Sequence, residues 1–315
     1  MPKPVLIDTD TGVDDALALI FALCSPELSV QAITTVAGNV EVEKCTRNVL
    51  FLLRKLDLQN KVKVAQGAAR PLKRALFTAP EVHGQDGLGN IFQQNNKQKK
   101  APTPSTKAVK EILDFCQRNG KKGCIIAIGP LTNLALAYQQ QPKVFRKVGS
   151  IITMGGAFRV SGNTGPVAEF NYYVDPEAAH LILNSGLPVT VVPLDVTEQV
   201  ILQRHKIKQL ARRSKKPISK EILRFTDFYM KYHKITEGFY GGFAHDPMAI
   251  AVAMAPHVIQ TRRICVSVDT QSRELRGMTF VPLLRKKLND RYGVDIAVAV
   301  QKRKFLWLFY ERLFT

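Results

Sequence analysis

Four aspartates stand within eight positions, Asp8-Thr9-Asp10-Thr11-Gly12-Val13-Asp14-Asp15, directly behind the apolar run Val5-Leu6-Ile7. No other stretch constrains the fold as tightly. The apolar run is short and stops abruptly at an acid. Beyond Gly12, residues 14–23 place apolar side chains at helical spacing, so the segment reads as strand, turn, helix. In parallel α/β sheets such a turn lies at the carboxyl end of its strand, where sites are built. Two carboxylates ~4 Å apart repel by about 4 kcal/mol even at an effective dielectric of about 20. Aspartates that converge there need a cation or protons between them. Oxygen-only donors suit a hard ion, Ca²⁺ or Mg²⁺, better than zinc. The plainer alternative is an Asx-rich turn in which Asp14 and Asp15 cap the helix.

The alternation continues along the chain. Residues 31–36 are rich in β-branched side chains and end at Ala37-Gly38-Asn39, which predicts a second strand. A helix is expected over 41–56 and a third strand over 61–65. Residues 124–128 form a buried-type strand ending in Gly129-Pro130, followed by a helix over 131–138. A strand over 147–154 closes on Gly155-Gly156, a helix spans 175–184, and a strand spans 189–193. Strands that alternate with helices predict an α/β fold with an open, mostly parallel sheet and helices on both faces. The 315 residues would allow two domains, but no shift in composition divides them, so a single domain over 1–315 is expected. Segments 71–104 and 200–244 read as insertions able to cover the mouth of a site. The run Phe305-Leu-Trp-Leu-Phe-Tyr310 reads as part of a terminal helix docked on the core.

Charge is the unusual number: Lys and Arg total 45 against 26 Asp and Glu, a net +19. That balance suits an anionic partner. Its placement argues for a solvated basic face instead. Nine Lys/Arg fall between 201 and 224 against one acid, Glu221, with smaller clusters at 97–100, 285–287 and 302–304. The first 24 residues hold one lysine and four aspartates. The basic residues therefore avoid the segment that looks chemical. They also lack the interleaved aromatics of a stacking platform, so no nucleic-acid partner is expected. No apolar run approaches the ~20 residues that span a bilayer, and acids arrive before a signal-peptide core could form. A cytoplasmic protein with no membrane partner is expected. The five cysteines are odd in number and widely spaced, without a C-x-x-C pair, which points to reduced thiols.

Two further motifs carry chemistry. In Ala168-Glu-Phe-Asn-Tyr-Tyr-Val-Asp-Pro176, an acid and an amide suit a hydroxyl-rich ligand, because one accepts and the other both accepts and donates. A cap at Asp175-Pro176 accounts for the end of this motif, but not for Glu169 or Asn171. In Gly241-Gly-Phe-Ala-His-Asp-Pro247, His245 and Asp246 open another Pro-started helix, where either a structural or a functional histidine fits. Read alone, Asp8-Thr9-Asp10-Thr11 also suggests a haloacid-dehalogenase-like phosphatase with Asp8 as nucleophile and Mg²⁺ as cofactor. Gly12 breaks that pattern.

Taken together, DTDTGVDDALAL, VAGNV (36–40), AIGPLTNLA (127–135), MGGAF (154–158), EFNYYVDPEAA and HDPMAIA resemble, in order and spacing, the inosine-uridine-preferring nucleoside hydrolases. The resemblance covers about 4–312, and is strongest to bacterial ribonucleoside hydrolases of broad range. It implies a Rossmann-like core and hydrolysis of the N-glycosidic bond of purine and pyrimidine ribonucleosides to base and ribose, in nucleoside salvage. It implies a tightly bound Ca²⁺ held by Asp10, Asp15, Asp246 and the backbone carbonyl of Ile128, with Asp10 activating the attacking water. Asp14 and Asn171 would hold the ribose 2′- and 3′-hydroxyls, and Asn39 would orient water or ribose. Asn163 and Glu169 would hold the 5′-hydroxyl end, with Met154 and Phe170 packed nearby. His245 would serve the leaving base, with His83 on a base-side loop and Tyr229 and His233 on a covering helix. Retention of His245 implies purine as well as pyrimidine substrates. Family members are commonly homo-oligomers, dimers or tetramers.

Overall fold

The computed structural model describes residues 1–92, 107–282 and 293–315; the basic clusters at 97–100 and 285–287 lie outside the described residues. Twelve strands form among the described residues: β1 (Lys3–Thr9), β2 (Leu28–Thr35), β3 (Lys63–Gln66), β4 (Cys124–Ala127), β5 (Ser150–Met154), β6 (Val189–Val192), β7 (Ile201–Gln203), β8 (Gly241–Phe243), β9 (Ile259–Ile264), β10 (Ser267–Val268), β11 (Thr279–Phe280) and β12 (Val294–Val300). Eight of them make one open sheet in the order β3-β2-β1-β4-β5-β6-β12-β9. Neighbours pair parallel except β12 with β9, which runs antiparallel at the edge. The first six strands follow the doubly wound 3-2-1-4-5-6 order, so the expected Rossmann-like core is present.

The chain reverses its direction of travel between β1 and β4, and a crevice opens outside the carboxyl ends of strands at such a switch point. Asp8 pairs with Thr34 of β2 and Ala127 of β4. The residues that follow, Thr9-Asp10 and Ile128-Gly129, therefore leave the sheet side by side.

Period-two alternation sorts the strand side chains into two layers: Val5 and Ile7 enter one core, Leu6 the other. Helices Val13–Leu23, His245–Met254 and Lys302–Phe314 pack on the first face, and Ala108–Asn119, Thr132–Gln140 and Pro176–Leu183 on the second. Val13–Leu23 is apolar almost all round, as suits a helix enclosed by its neighbours. The C-terminal helix docks as expected, with the rings of Phe305 and Phe309 6.4 and 5.4 Å from that of Phe21.

Element ends shift by a few residues from expectation. The strand foreseen from 147 begins at Ser150, because Lys147 and Val148 close a turn onto Val144 and Phe145. The helix foreseen from 175 begins at Pro176, with Asp175 as its cap accepting from Ala178 N at 3.0 Å. The 200–244 segment is an excursion closed by the antiparallel pair β7–β8, with helices Arg204–Arg213 and Ile218–Thr236 between them. None of the nine Lys/Arg between 201 and 224 is buried. All five cysteines are free, and among the described residues no helix is long and apolar enough to cross a membrane.

Candidate active site

Asp10, Asp14 and Asp15 follow β1, and Asp246 lies in the first turn of His245–Met254. All four are buried: Asp10 and Asp15 at 0%, Asp246 at 3% and Asp14 at 6% exposure. Carboxylate oxygens of Asp14, Asp15 and Asp246 all lie within 4.8 Å of one another. Asp10 adjoins from the side of Asp15, whose carboxyl lies against those of both Asp10 and Asp246. Burial lifts all four above the ordinary carboxylate range; mutual repulsion adds to the rise for Asp10, Asp14 and Asp246, and Asp14 reaches about 8. The N-termini of the Val13–Leu23 and His245–Met254 helices open at the cluster, and their partial positive charge offsets part of this repulsion.

The cluster is firmly held. Asp15 Oδ1 accepts from Thr9 Oγ1 at 2.5 Å, and its Oδ2 from Gly12 N and Asn39 Nδ2, both at 2.9 Å. Asp10 Oδ2 accepts from Asn39 N at 2.8 Å, while the Cys45 thiol donates to the Asp10 carbonyl oxygen at 3.0 Å. Glycines make room for the Asp10 side chain. A Cβ on Gly38 would stand 2.1 Å from Asp10 Oδ2, and one on Gly129 2.8 Å from Oδ1. Asp10 Oδ1 and Asp14 Oδ1 are buried without a donor. Buried polar atoms are nearly always satisfied, so two orphaned oxygens beside converged carboxylates fit a hard, oxygen-ligated divalent cation. The Ile128 carbonyl accepts from Asn171 Nδ2 at 3.3 Å.

A cavity of about 760 Å³ opens above the cluster. Asp14, Asp246 and Ile128 line it, whereas Asp10 and Asp15 lie beneath its wall. One half is polar, formed by Asn39, Asn163, Glu169 and Asn171 with Met154 and Phe170. Here the structure adds to the sequence reading: Glu169 is itself a cap, for the Phe170–Val174 helix. Its Oε1 accepts from Asn171 N at 2.8 Å, and its Oε2 from Gly156 N and Tyr172 N at 3.1 and 3.2 Å. Burial outweighs these three donors and raises its pKa to about 7. Asn163 Oδ1 accepts from Phe170 N at 2.9 Å. Asn171 Nδ2 also donates to Met154 O at 3.2 Å.

The other half is ringed by aromatic and imidazole side chains. Successive ring centroids lie 5.8 Å apart for His83–Tyr229, 4.4 Å for Tyr229–His233, 5.3 Å for His233–Phe243 and 5.4 Å for Phe243–His245. Hydrogen bonds assign two of the tautomers. His83 Nδ1 accepts from Val13 N at 3.1 Å, so its proton sits on Nε2. His233 Nδ1 donates to Tyr229 O at 2.9 Å, so its Nε2 is an acceptor. Burial, with the other histidines nearby, pulls His83 and His245 down to about 3. The 3.8 Å approach of His83 Nδ1 to Asp14 Oδ1 is therefore not an ion pair. His245 Nδ1 lies 2.8 Å from Thr197 Oγ1.

The cavity wall carries Asp14, Glu81, Glu169, Glu198, Glu237 and Asp246 but no lysine or arginine among the described residues, in a chain that has 45 of them. Phosphate groups find no cation there. Asp8 is not on the wall either. Its Oδ1 accepts from Thr34 Oγ1 at 2.5 Å and Asn133 Nδ2 at 2.8 Å, and burial raises it to about 7. Asp8 is thus a strut between strands, and the phosphatase reading that needed it as nucleophile is set aside.

Residues 5–307 match the profile of the inosine-uridine preferring nucleoside hydrolases. The chain belongs to that family. It is 40% identical over 321 aligned positions to a pyrimidine-specific ribonucleoside hydrolase, RihA, of Salmonella typhimurium, covering 99% of each chain. Its fold matches a purine-preferring ribonucleoside hydrolase from Gardnerella vaginalis at a TM-score of 0.90 and 34% identity, covering 99% of this chain and 98% of that one. It matches the plant nucleoside hydrolase PpNRh1 at 0.91 and 35%, covering 100% of both. In this nucleoside hydrolase the sequence reading foresaw that 71–104 and 200–244 could cover the mouth, and Phe77, Glu81, Tyr232, Glu237 and Phe243 from those segments do line it. It did not single out those residues, nor Glu198 just ahead of the second segment, because only tertiary placement shows which of their faces turns inward.

Proposed function

We propose that this nucleoside hydrolase cleaves the N-glycosidic bond of both purine and pyrimidine ribonucleosides, releasing base and ribose, with Ca²⁺ as cofactor. The observation that carries the reading is one cavity with a floor of buried, partly orphaned carboxylates, a ring-lined wall and no cationic side chain. Asp10, Asp15, Asp246 and the Ile128 carbonyl would hold the ion, with Asp14 alongside. Bound there, it would neutralise the carboxylates and acidify a water. Asp10 is the proton acceptor for the attacking water: one oxygen is free of donors.

Asp14 and Asn171 hold the ribose 2′- and 3′-hydroxyls, and Asn39, which already steers Asp10 and Asp15, orients the reactants. Asn163 and Glu169 take the 5′-hydroxyl, while Met154 and Phe170 pack against the sugar. Cleavage passes through an oxocarbenium-like transition state, and an acidic wall favours that developing positive charge. On the leaving side, burial keeps His245 neutral, so it serves the base as a hydrogen-bonding partner rather than as a standing imidazolium. His83 offers its Nε2–H, and Tyr229 and His233 frame the base. Likeness to RihA supports pyrimidine use, and His245 supports purine use. A cytoplasmic homo-oligomer, dimer or tetramer, acting in nucleoside salvage completes the reading.

Asp10→Ala tests it. A fall in kcat of at least ~10³ is expected, with circular dichroism and melting temperature preserved. An undiminished rate sinks the proposal.

A further inference from the structure

The carboxyl of Glu198 is half-buried on the aromatic side of the cavity, and among the described residues it has no hydrogen bond and no ion pair. Its backbone is fixed. Glu198 N donates to Leu194 O at 3.1 Å, and the preceding residue, Thr197, holds His245 Nδ1 at 2.8 Å. The backbone of Glu198 is thus fixed one residue from the contact to His245, and both side chains line the same cavity. Phe243, Tyr232 and His233 line the same cavity, and aromatic rings stack on any base and discriminate little. Discrimination falls to the polar groups. On the edge away from the sugar, cytosine and adenine carry an amino donor where uracil and hypoxanthine carry an oxo acceptor. An ionised carboxylate only accepts.

We propose that Glu198 is a specificity residue: its carboxylate accepts a hydrogen bond from the exocyclic amino group of the base, biasing turnover towards amino bases over their oxo counterparts. This inference rests on the nucleoside hydrolase reading above. Burial, then the neighbouring carboxyls of Glu237 and Asp195, raise Glu198 to about 7. Assays at about pH 8.5 therefore find it ionised.

The test is kcat/KM for cytidine, uridine, adenosine and inosine in the unaltered protein, Glu198→Gln and Glu198→Leu. Glutamine keeps the volume but can both donate and accept; leucine does neither. A hydrogen bond to a charged group sets the scale: the cytidine/uridine and adenosine/inosine ratios should each fall about tenfold in both variants. Inhibition by free ribose, which reports the sugar half alone, should hold. Ratios that stay unchanged overturn the inference and leave the hydrolase reading standing. So does a parallel fall for all four substrates with weakened ribose inhibition, which marks a merely structural role. No sugar release from any substrate by the unaltered protein overturns both.

Discussion

Asn133 does at one position what the buried acid cluster needs from the whole switch point. Its Nδ2 donates to Asp8 Oδ1 at 2.8 Å and Thr35 O at 2.9 Å, and its Oδ1 accepts from Ala68 N at 2.9 Å. One fully buried amide thereby ties β1, the end of β2 and the segment after β3 directly behind Asp10. Asn133→Ala would leave buried partners unsatisfied, so a loss of about 2–4 kcal/mol is expected in urea unfolding. A variant as stable as the parent would show that water replaces the amide without cost. Asp8 and Asn133 both stand in motifs legible in the sequence, but their strut role was not. Nothing in the spacing of DTDTGVDD separates the aspartate that braces strands from those that face the site; only the end of the strand does, with Asp8 still paired between β2 and β4 and Asp10 beyond β1.

The Ile218–Thr236 helix carries Tyr229 and His233 over the cavity, and β8 sets its height. A Cβ on Gly242 would stand 2.3 Å from Tyr229 Cε1 and 2.7 Å from Cδ1. Gly242→Ala should displace that ring and lower kcat/KM for nucleosides by about tenfold, since small misplacements are costly in a preorganised site. Ca²⁺ affinity by calorimetry should stay as it was, because the acid cluster stands on other elements. A variant with parental kinetics would exclude β8 as the support of the ring wall. The same contrast explains what could be read in advance. β1, β2, β4, β5 and β6 announce themselves as β-branched runs stopped by Asp, Gly or Pro. β9 is hidden because Gln260, Thr261, Arg262 and Arg263 are exposed on an edge strand. β7 and β8 are three residues each, and only the excursion between them brings them together.

Across the described residues, charge is divided by location: in a chain of net +19, no lysine or arginine lines the cavity, whose wall carries six carboxyl groups. This division has a consequence for stability. Without metal, burial holds Asp8 and Glu169 at about 7 and Asp14 at about 8, all above the ~4 of an unfolded chain. The folded state then binds more protons than the unfolded one at these carboxyls. His83 and His245, held at about 3, pull the other way below the ~6.5 of the unfolded chain. Stability therefore falls as pH rises towards about 8, most steeply above about 6.5. The melting temperature of chelated protein should drop across that window, and added Ca²⁺ should restore it most at the alkaline end. A flat profile without metal would contradict the buried-carboxyl picture. The decisive measurement is reducing-sugar release from inosine, adenosine, uridine and cytidine, before prolonged chelation, after it, and once Ca²⁺ is returned. Release that stops on chelation and recovers with Ca²⁺ is expected. Release indifferent to chelation, or none from any of the four, would contradict calcium-assisted nucleoside hydrolysis.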